Sequence, residues 1–131
     1  MSMNVPDDLR YTKEHEWCRL KGSRAVVGIT DHAQDQLGDI VYVELPEVGD
    51  AVKKGESFGV VESTKAVSEL FAPVSGKVVE VNDPLADTPE AINEDPYEEG
   101  WMIQVEMSDP GEAESLMDAP AYRKHVEEEA D

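Results

Sequence analysis

One cysteine, Cys18, stands among the 131 residues, so an internal disulfide is excluded. It lies in Trp17-Cys18-Arg19-Leu20, a β-type segment where a lone thiol packs as a small hydrophobic side chain. Basic residues are scarce: 11 Lys and Arg face 30 Asp and Glu, for a formal charge of -19. A surface of that sign repels phosphate backbones and anionic lipid headgroups, which sets aside nucleic-acid and membrane-surface binding. It favours solubility and docking on basic patches of protein partners; adaptation to a salty cytoplasm would leave the same imbalance. No apolar run is long enough to span a bilayer and no signal-peptide pattern opens the chain, so a cytoplasmic protein is expected.

Catalytic and metal-binding patterns are also missing. There is no Gly-x-Ser-x-Gly and no phosphate-binding glycine loop. The chain holds three histidines. In Glu14-His15-Glu16, alternation along a strand would point His15 away from both carboxylates. His32 lacks a second histidine at ligand spacing, and His125 falls on a terminal helix whose acidic end is expected to fray. No metal site is therefore expected.

What is present is a succession of short strands. Residues 16–20, 25–30, 40–45, 58–62, 67–72, 77–81 and 101–107 carry β-type apolar patterning, separated by Gly, Pro, Asn and Asp turns. Lys21-Gly22-Ser23-Arg24 reads as a hairpin turn. In 40–45, Val41, Val43 and Leu45 are expected to share the buried face. In 101–107, Trp101, Ile103, Val105 and Met107 do the same. Asp31 and Gln34 form a potential capping box for one or two helical turns that stop at Gly38. Thr88-Pro89-Glu90 can start a helical turn, and 93–100 reads as a loop. A second capping box, Asp109 with Glu112, opens a C-terminal helical stretch that Asp118 recaps. There Tyr122 and Val126, four apart, form one stripe. Residues 1–10 read as a loose lead-in.

The length suits one domain over 1–131, with a core over about 9–107 and a helical segment over about 109–129. Short strands with small peripheral helices and a helical C-terminus fit a mainly β barrel or sandwich, not a parallel α/β sheet.

The one constellation that suggests chemistry is a lysine in a turn. Residues 58–72 place Ser63-Thr64-Lys65-Ala66 between two apolar runs. Taken alone, Lys65 is also what an ordinary solvated hairpin lysine looks like. A tethered cofactor nevertheless needs this layout: an amine that can form a stable amide, held beyond the fold by a stiff base, with small neighbours that leave it accessible.

Here the sequence resembles a known family. Glu62-Ser63-Thr64-Lys65-Ala66-Val67-Ser68-Glu69 is similar to the lipoylation site of glycine cleavage H proteins. Ala72-Pro73-Val74-Ser75-Gly76-Lys77-Val78 is similar to the strand-turn-strand that follows it. Tyr11-Thr12-Lys13-Glu14-His15-Glu16-Trp17, residues 27–39 and Asn93-Glu94-Asp95-Pro96-Tyr97 through Met102 resemble three further motifs, in the family's order. The resemblance runs from about Leu9 to about Val126.

It implies a barrel-sandwich hybrid with lipoic acid attached to Lys65 by a lipoate-attaching enzyme. It implies a carrier and not an enzyme. Its partners would be a pyridoxal-phosphate glycine decarboxylase, a tetrahydrofolate-dependent aminomethyltransferase and dihydrolipoyl dehydrogenase. The loaded arm is implied to rest in a surface cleft, with Glu14, Glu16 and Glu69 as candidate carboxylates for the cationic aminomethyl group. A monomer is expected. Amide formation at Lys65 would take the formal charge from -19 to -20. Lipoyl or biotinyl domains of other complexes, a small hydrolase using Glu14, His15 or Cys18, and an unmodified docking protein are the alternatives. Thr64 and Ala66 replace the methionines that usually flank a biotinyl lysine.

Overall fold

A computed structural model describes residues 4–130; residues 1–3 and 131 lie outside it. Among the described residues, nine strands form two antiparallel sheets. The strands are β1 (Arg10–Tyr11), β2 (Glu16–Lys21), β3 (Arg24–Ile29), β4 (Ile40–Glu44), β5 (Ala51–Val52), β6 (Ser57–Ser63), β7 (Val67–Phe71), β8 (Gly76–Val81) and β9 (Ile103–Met107). The larger sheet runs β1-β2-β3-β9-β8-β5 and the smaller one β4-β6-β7. Helices are short and peripheral: α1 (Asp31–Leu37), α2 (Ala91–Glu94) and α3 (Gly111–Glu114). The exception is the C-terminal α4 (Ala119–Ala130). Among the described residues no helix is long and apolar enough to cross a membrane. The expected mainly β architecture with a helical C-terminus is what the chain forms.

The sheets face each other across one apolar core. Val27, Val78 and Val105 of the larger sheet meet Val43, Val61 and Leu70 of the smaller one. A second cluster lies on the opposite face of the larger sheet. There Trp17 and Val26, neighbours of Cys18 and Val27, point the other way and pack with Tyr11, Tyr97 and the α4 side chains Tyr122 and Val126. The centre of β2–β3 is thus covered on both faces, which is why Ala25-Val26-Val27-Gly28-Ile29 is apolar throughout and not alternating. Gly28 faces Trp17 in register, and a Cβ there would stand 2.7 Å from the indole, so only glycine lets the ring lie against β3.

Several local expectations need correction. The first helix is capped by Thr30, whose Oγ1 accepts from Ala33 N at 3.1 Å. Asp31 is already inside the helix, where its carboxylate accepts from Gln34 Nε2. Glu112 does not close a capping box; it accepts from Ser75 N at 2.7 Å and Ser75 Oγ at 3.0 Å, pinning α3 to the corner before β8. In β4 the register shifts between Ile40 and Tyr42, so Val41 is exposed and the buried residues are Ile40 and Val43. That is the effect of one bulge on a period-2 pattern. Part of the expected 93–100 loop is helical, in α2, and a 3-10 turn forms over Asp83–Ala86. The last strand starts at Ile103, not Trp101. Residues 1–3 of the expected lead-in lie outside the described residues, and residues 4–10 are not loose: Val5 and Leu9 are buried, and Asn4 and Val5 offer their carbonyls to Tyr97 and Arg123. Asp118 does recap the chain, accepting from Ala121 N at 3.0 Å.

Candidate functional site

Lys65 sits at the tip of the β6–β7 hairpin, exposed along with Thr64, Ala66 and Val67. The tip backbone is nevertheless closely held. Ser63 N donates to Ala66 O at 2.8 Å, while Ser63 Oγ accepts from Lys65 N at 3.1 Å and Ala66 N at 3.0 Å. Thr64 N donates to Asp39 O at 3.1 Å, which ties the tip to the segment between α1 and β4. That segment is held in turn by Asn93. Its Oδ1 accepts from Ile40 N at 2.8 Å, and its Nδ2 donates to Gly38 O at 2.8 Å and Gln34 Oε1 at 3.0 Å.

Gly38 (φ 81) both adopts a left-handed conformation and leaves room for the Lys65 alkyl chain, whose Cε would stand 2.9 Å from a Cβ at that position. Among the described residues neither a salt bridge nor a side-chain hydrogen bond engages Lys65 Nζ. A stiff base therefore presents an unengaged amine.

A cleft of about 280 Å³ opens at the other end of β7. Tyr11, Phe71, Pro73, Leu116 and Met117 give it apolar walls, and Lys13, Glu14, Glu16 and Lys54 supply its charged groups. Glu14 is exposed. Glu16 is only 2% exposed and both its oxygens are engaged: Oε1 accepts from Thr12 Oγ1 at 2.6 Å, and Oε2 from Phe71 N at 3.1 Å. Burial pushes its carboxyl up to about 7; the bonds from Thr12 and Phe71 oppose that rise without cancelling it. Glu69 lies exposed on β7 opposite Val60 and is not part of the cleft lining. Of the three carboxylates expected together, two meet and the third does not join them.

His15 is not a strand residue. It occupies a turn ahead of β2 with φ 72, its N–H donating to Thr12 O and its carbonyl accepting from Thr30 N. The three histidines, expected apart, converge: the His15 ring centroid lies 4.7 Å from that of His32 and 5.7 Å from that of His125. Glu129, on the stretch expected to fray, bridges two of them. Its Oε1 is 2.8 Å from His15 Nε2 and its Oε2 2.9 Å from His125 Nε2. His15 Nδ1 meets Tyr122 Oη at 2.8 Å, and Tyr122 Oη meets Thr30 Oγ1 at 2.7 Å. Burial lowers the His15 pKa, against the pull of Glu129 and with the help of His32 and His125.

Reasoning along the sequence missed this cluster because its parts come from residues 15, 32, 125 and 129. Asn93 was visible only as part of a motif, since nothing local says which backbone a side-chain amide will clasp.

Comparisons with known proteins bear on this geometry. A family model described as "Glycine cleavage H-protein" matches residues 9–129. A "Glycine cleavage system H protein" of Anaeromyxobacter sp. (strain K) is 76% identical over 127 residues, covering 97% of this chain and 99% of the relative. A "Glycine cleavage system H protein 2, mitochondrial" of Arabidopsis thaliana is 60% identical over 125 residues, covering 95% and 80%. A solved structure of a glycine cleavage system H protein from Mycobacterium marinum superposes with a TM-score of 0.86 at 44% identity, covering 93% of this chain and 98% of that one.

Proposed function

Because the chain belongs to the glycine cleavage H-protein family, we propose that Lys65 is the lipoyl attachment site and that the protein shuttles one-carbon units among the enzymes of that system. The observation that carries this is the pairing of a fixed backbone with an exposed amine at the β6–β7 tip. Lipoic acid, held as an amide on Lys65 Nζ, would supply a disulfide able to carry an aminomethyl group between glycine decarboxylase and the aminomethyltransferase, with dihydrolipoyl dehydrogenase as the partner for its reoxidation.

The chain's own residues do the rest. Ser63 and Asp39 hold the turn in one shape for a lipoate-attaching enzyme to grasp, and Asn93 holds Asp39 in place through its neighbours Gly38 and Ile40. The residues flanking the lysine, Thr64 and Ala66, are too small to obstruct it.

The cleft fits an arm that is apolar along its length and cationic at its loaded end. Phe71, Pro73, Leu116 and Met117 would cover the hydrocarbon and keep water away, and Glu14 would face the ammonium. Glu16 has a different part. Both its oxygens are committed to Thr12 and Phe71, so it ties the cleft floor to the lower end of the strand that descends from Lys65. Glu69, exposed on β7 between Lys65 and Phe71, does not line the cleft. In a chain of formal charge -19, a cationic end group is drawn toward the body of the protein, and basic patches on partner enzymes are drawn toward the carrier.

The test is the intact mass of protein made in a cell competent for lipoylation, followed by peptide mapping. One lipoyl adduct on Lys65 is expected. An adduct on another lysine, a biotinyl adduct, or unmodified protein in the presence of a working attaching enzyme would contradict the proposal.

A further inference from the structure

We propose that His15, His32 and Glu129 form a binding site for a divalent metal ion of the zinc class, with His125 positioning the carboxylate. One ligand atom from each of the three lies within 4.8 Å of the other two. Zinc binds imidazole nitrogen and carboxylate oxygen at about 2.0–2.2 Å, so ligands around one ion stand roughly 3.3 Å apart. Side-chain movements of about an ångström close the difference. The groups that must move can do so: Glu129 is on the exposed side of α4 and His32 is only half-buried. Two imidazoles with one carboxylate suit zinc, whereas calcium and magnesium prefer all-oxygen shells. Water would complete the fourth position.

Two features beyond proximity point the same way. The first is the support behind His15. Its Nε2 faces Glu129 and its Nδ1 faces the Tyr122 hydroxyl, which continues to Thr30 Oγ1. Without metal, Nε2–H donates to Glu129, and Tyr122 donates to Nδ1. To ligate through Nε2, the neutral ring moves its proton to Nδ1. The hydroxyl chain then reverses, so that Nδ1–H donates to Tyr122 Oη and Tyr122 donates to Thr30. No proton is lost, and the one bond given up is that from the Thr30 hydroxyl to Tyr122. A metal-binding histidine ordinarily donates its second N–H in this way, which fixes the ring.

The second feature is charge. Glu127, Glu128 and Glu129 crowd the C-terminal turn of α4, where the helix dipole already disfavours anions. A divalent cation relieves that repulsion. It would also join three elements far apart in sequence: the turn before β2, α1 and α4. His125 Nε2, 2.9 Å from Glu129 Oε2 and 3.2 Å from Lys13 O, holds the carboxylate toward the cluster.

The experiment uses the untagged full chain without lipoate, so that no dithiol competes; Cys18 is fully buried and does not compete either. Zinc chloride is titrated calorimetrically in excess magnesium, which saturates simple carboxylate sites. One zinc ion per chain is expected, with a rise in Tm that magnesium alone does not give. Cobalt(II) should give the visible bands of a four-coordinate nitrogen–oxygen site. His32→Ala, which among the described residues removes no hydrogen bond from the fold, should weaken zinc binding at least about tenfold and abolish the cobalt bands. Glu129→Gln, at the exposed end of α4, should do the same if the alanine variant folds poorly. Absence of saturable zinc uptake, or equal uptake by the wild-type chain and the folded variants, would overturn the proposal.

Discussion

The turn that carries Lys65 and the turn that carries His15 share a design. In each, a hydroxyl side chain at the entry accepts from backbone amides a few residues on: Ser63 Oγ from Lys65 and Ala66, Thr12 Oγ1 from Glu14 and Glu16. Both turns are anchored through a backbone bond to another segment, to Asp39 in one case and to Thr30 in the other. They differ in what becomes of the central side chain. The Lys65 side chain lies against Gly38, its exposed amine engaged by no side chain among the described residues, whereas both ring nitrogens of His15 are bonded and the ring stands edge-on to Tyr122. A rigid turn can thus serve opposite ends. It can free a side chain that must travel, or fix one that must stay, and what packs above the turn decides which.

That contrast can be broken most severely from beneath His15. Tyr122 is fully buried, stacks on Tyr11 at 4.6 Å and supplies the hydroxyl that His15 needs. Tyr122→Ala should cost about 3–5 kcal/mol in urea unfolding. Removal of the Lys65 side chain should stay within about 0.5 kcal/mol. Next in size is Asn93→Ala. It leaves the part-buried Ile40 N–H and Gly38 carbonyl without their side-chain partner and should cost about 1–3 kcal/mol. Because Asn93 supports the Lys65 tip, the rate of lipoylation by a purified attaching enzyme should fall more than stability alone explains.

The Glu16 carboxyl sharpens the comparison through pH. Its pKa rises from the usual 4.5 to about 7 on folding, so between those values the folded protein holds a proton that the unfolded chain has lost. This group's contribution to stability therefore falls as pH rises from about 4.5 to about 7, and is flat outside that window. Glu16→Gln keeps an uncharged acceptor for Phe71 N and removes the ionisation. Relative to wild type, the variant should gain stability between pH 5 and pH 7.5, read from urea midpoints at the two values. The smallest effect belongs to Ser63→Ala. Loss of two exposed amide bonds should cost about 0.5–1 kcal/mol and speed hydrogen exchange at Lys65 and Ala66, with the His15 turn unchanged.

Much of this was legible beforehand for identifiable reasons. Period-2 patterning placed most strands within a residue or two, and the apolar runs around Ser63-Thr64-Lys65-Ala66 showed the hairpin tip. The misreadings arose where tertiary contacts override local signals. Asp31 looked like a cap until Thr30 took that place, and Glu112 was drawn off by Ser75. The Val41 alternation was undone by a bulge that no propensity encodes. The histidine cluster stayed hidden because docking of α4 brings residues more than a hundred positions apart into contact.

Reconstitution of the full glycine reaction with Lys65→Arg measures the central claim directly. The variant keeps the charge and the fold but cannot serve as the lipoyl acceptor. With the three partner enzymes, lipoate and its attaching enzyme supplied, glycine-dependent release of carbon dioxide should drop to the level seen with no carrier, while the melting curve stays that of the wild type. Sustained turnover by the folded arginine variant would show that the travelling group is attached elsewhere.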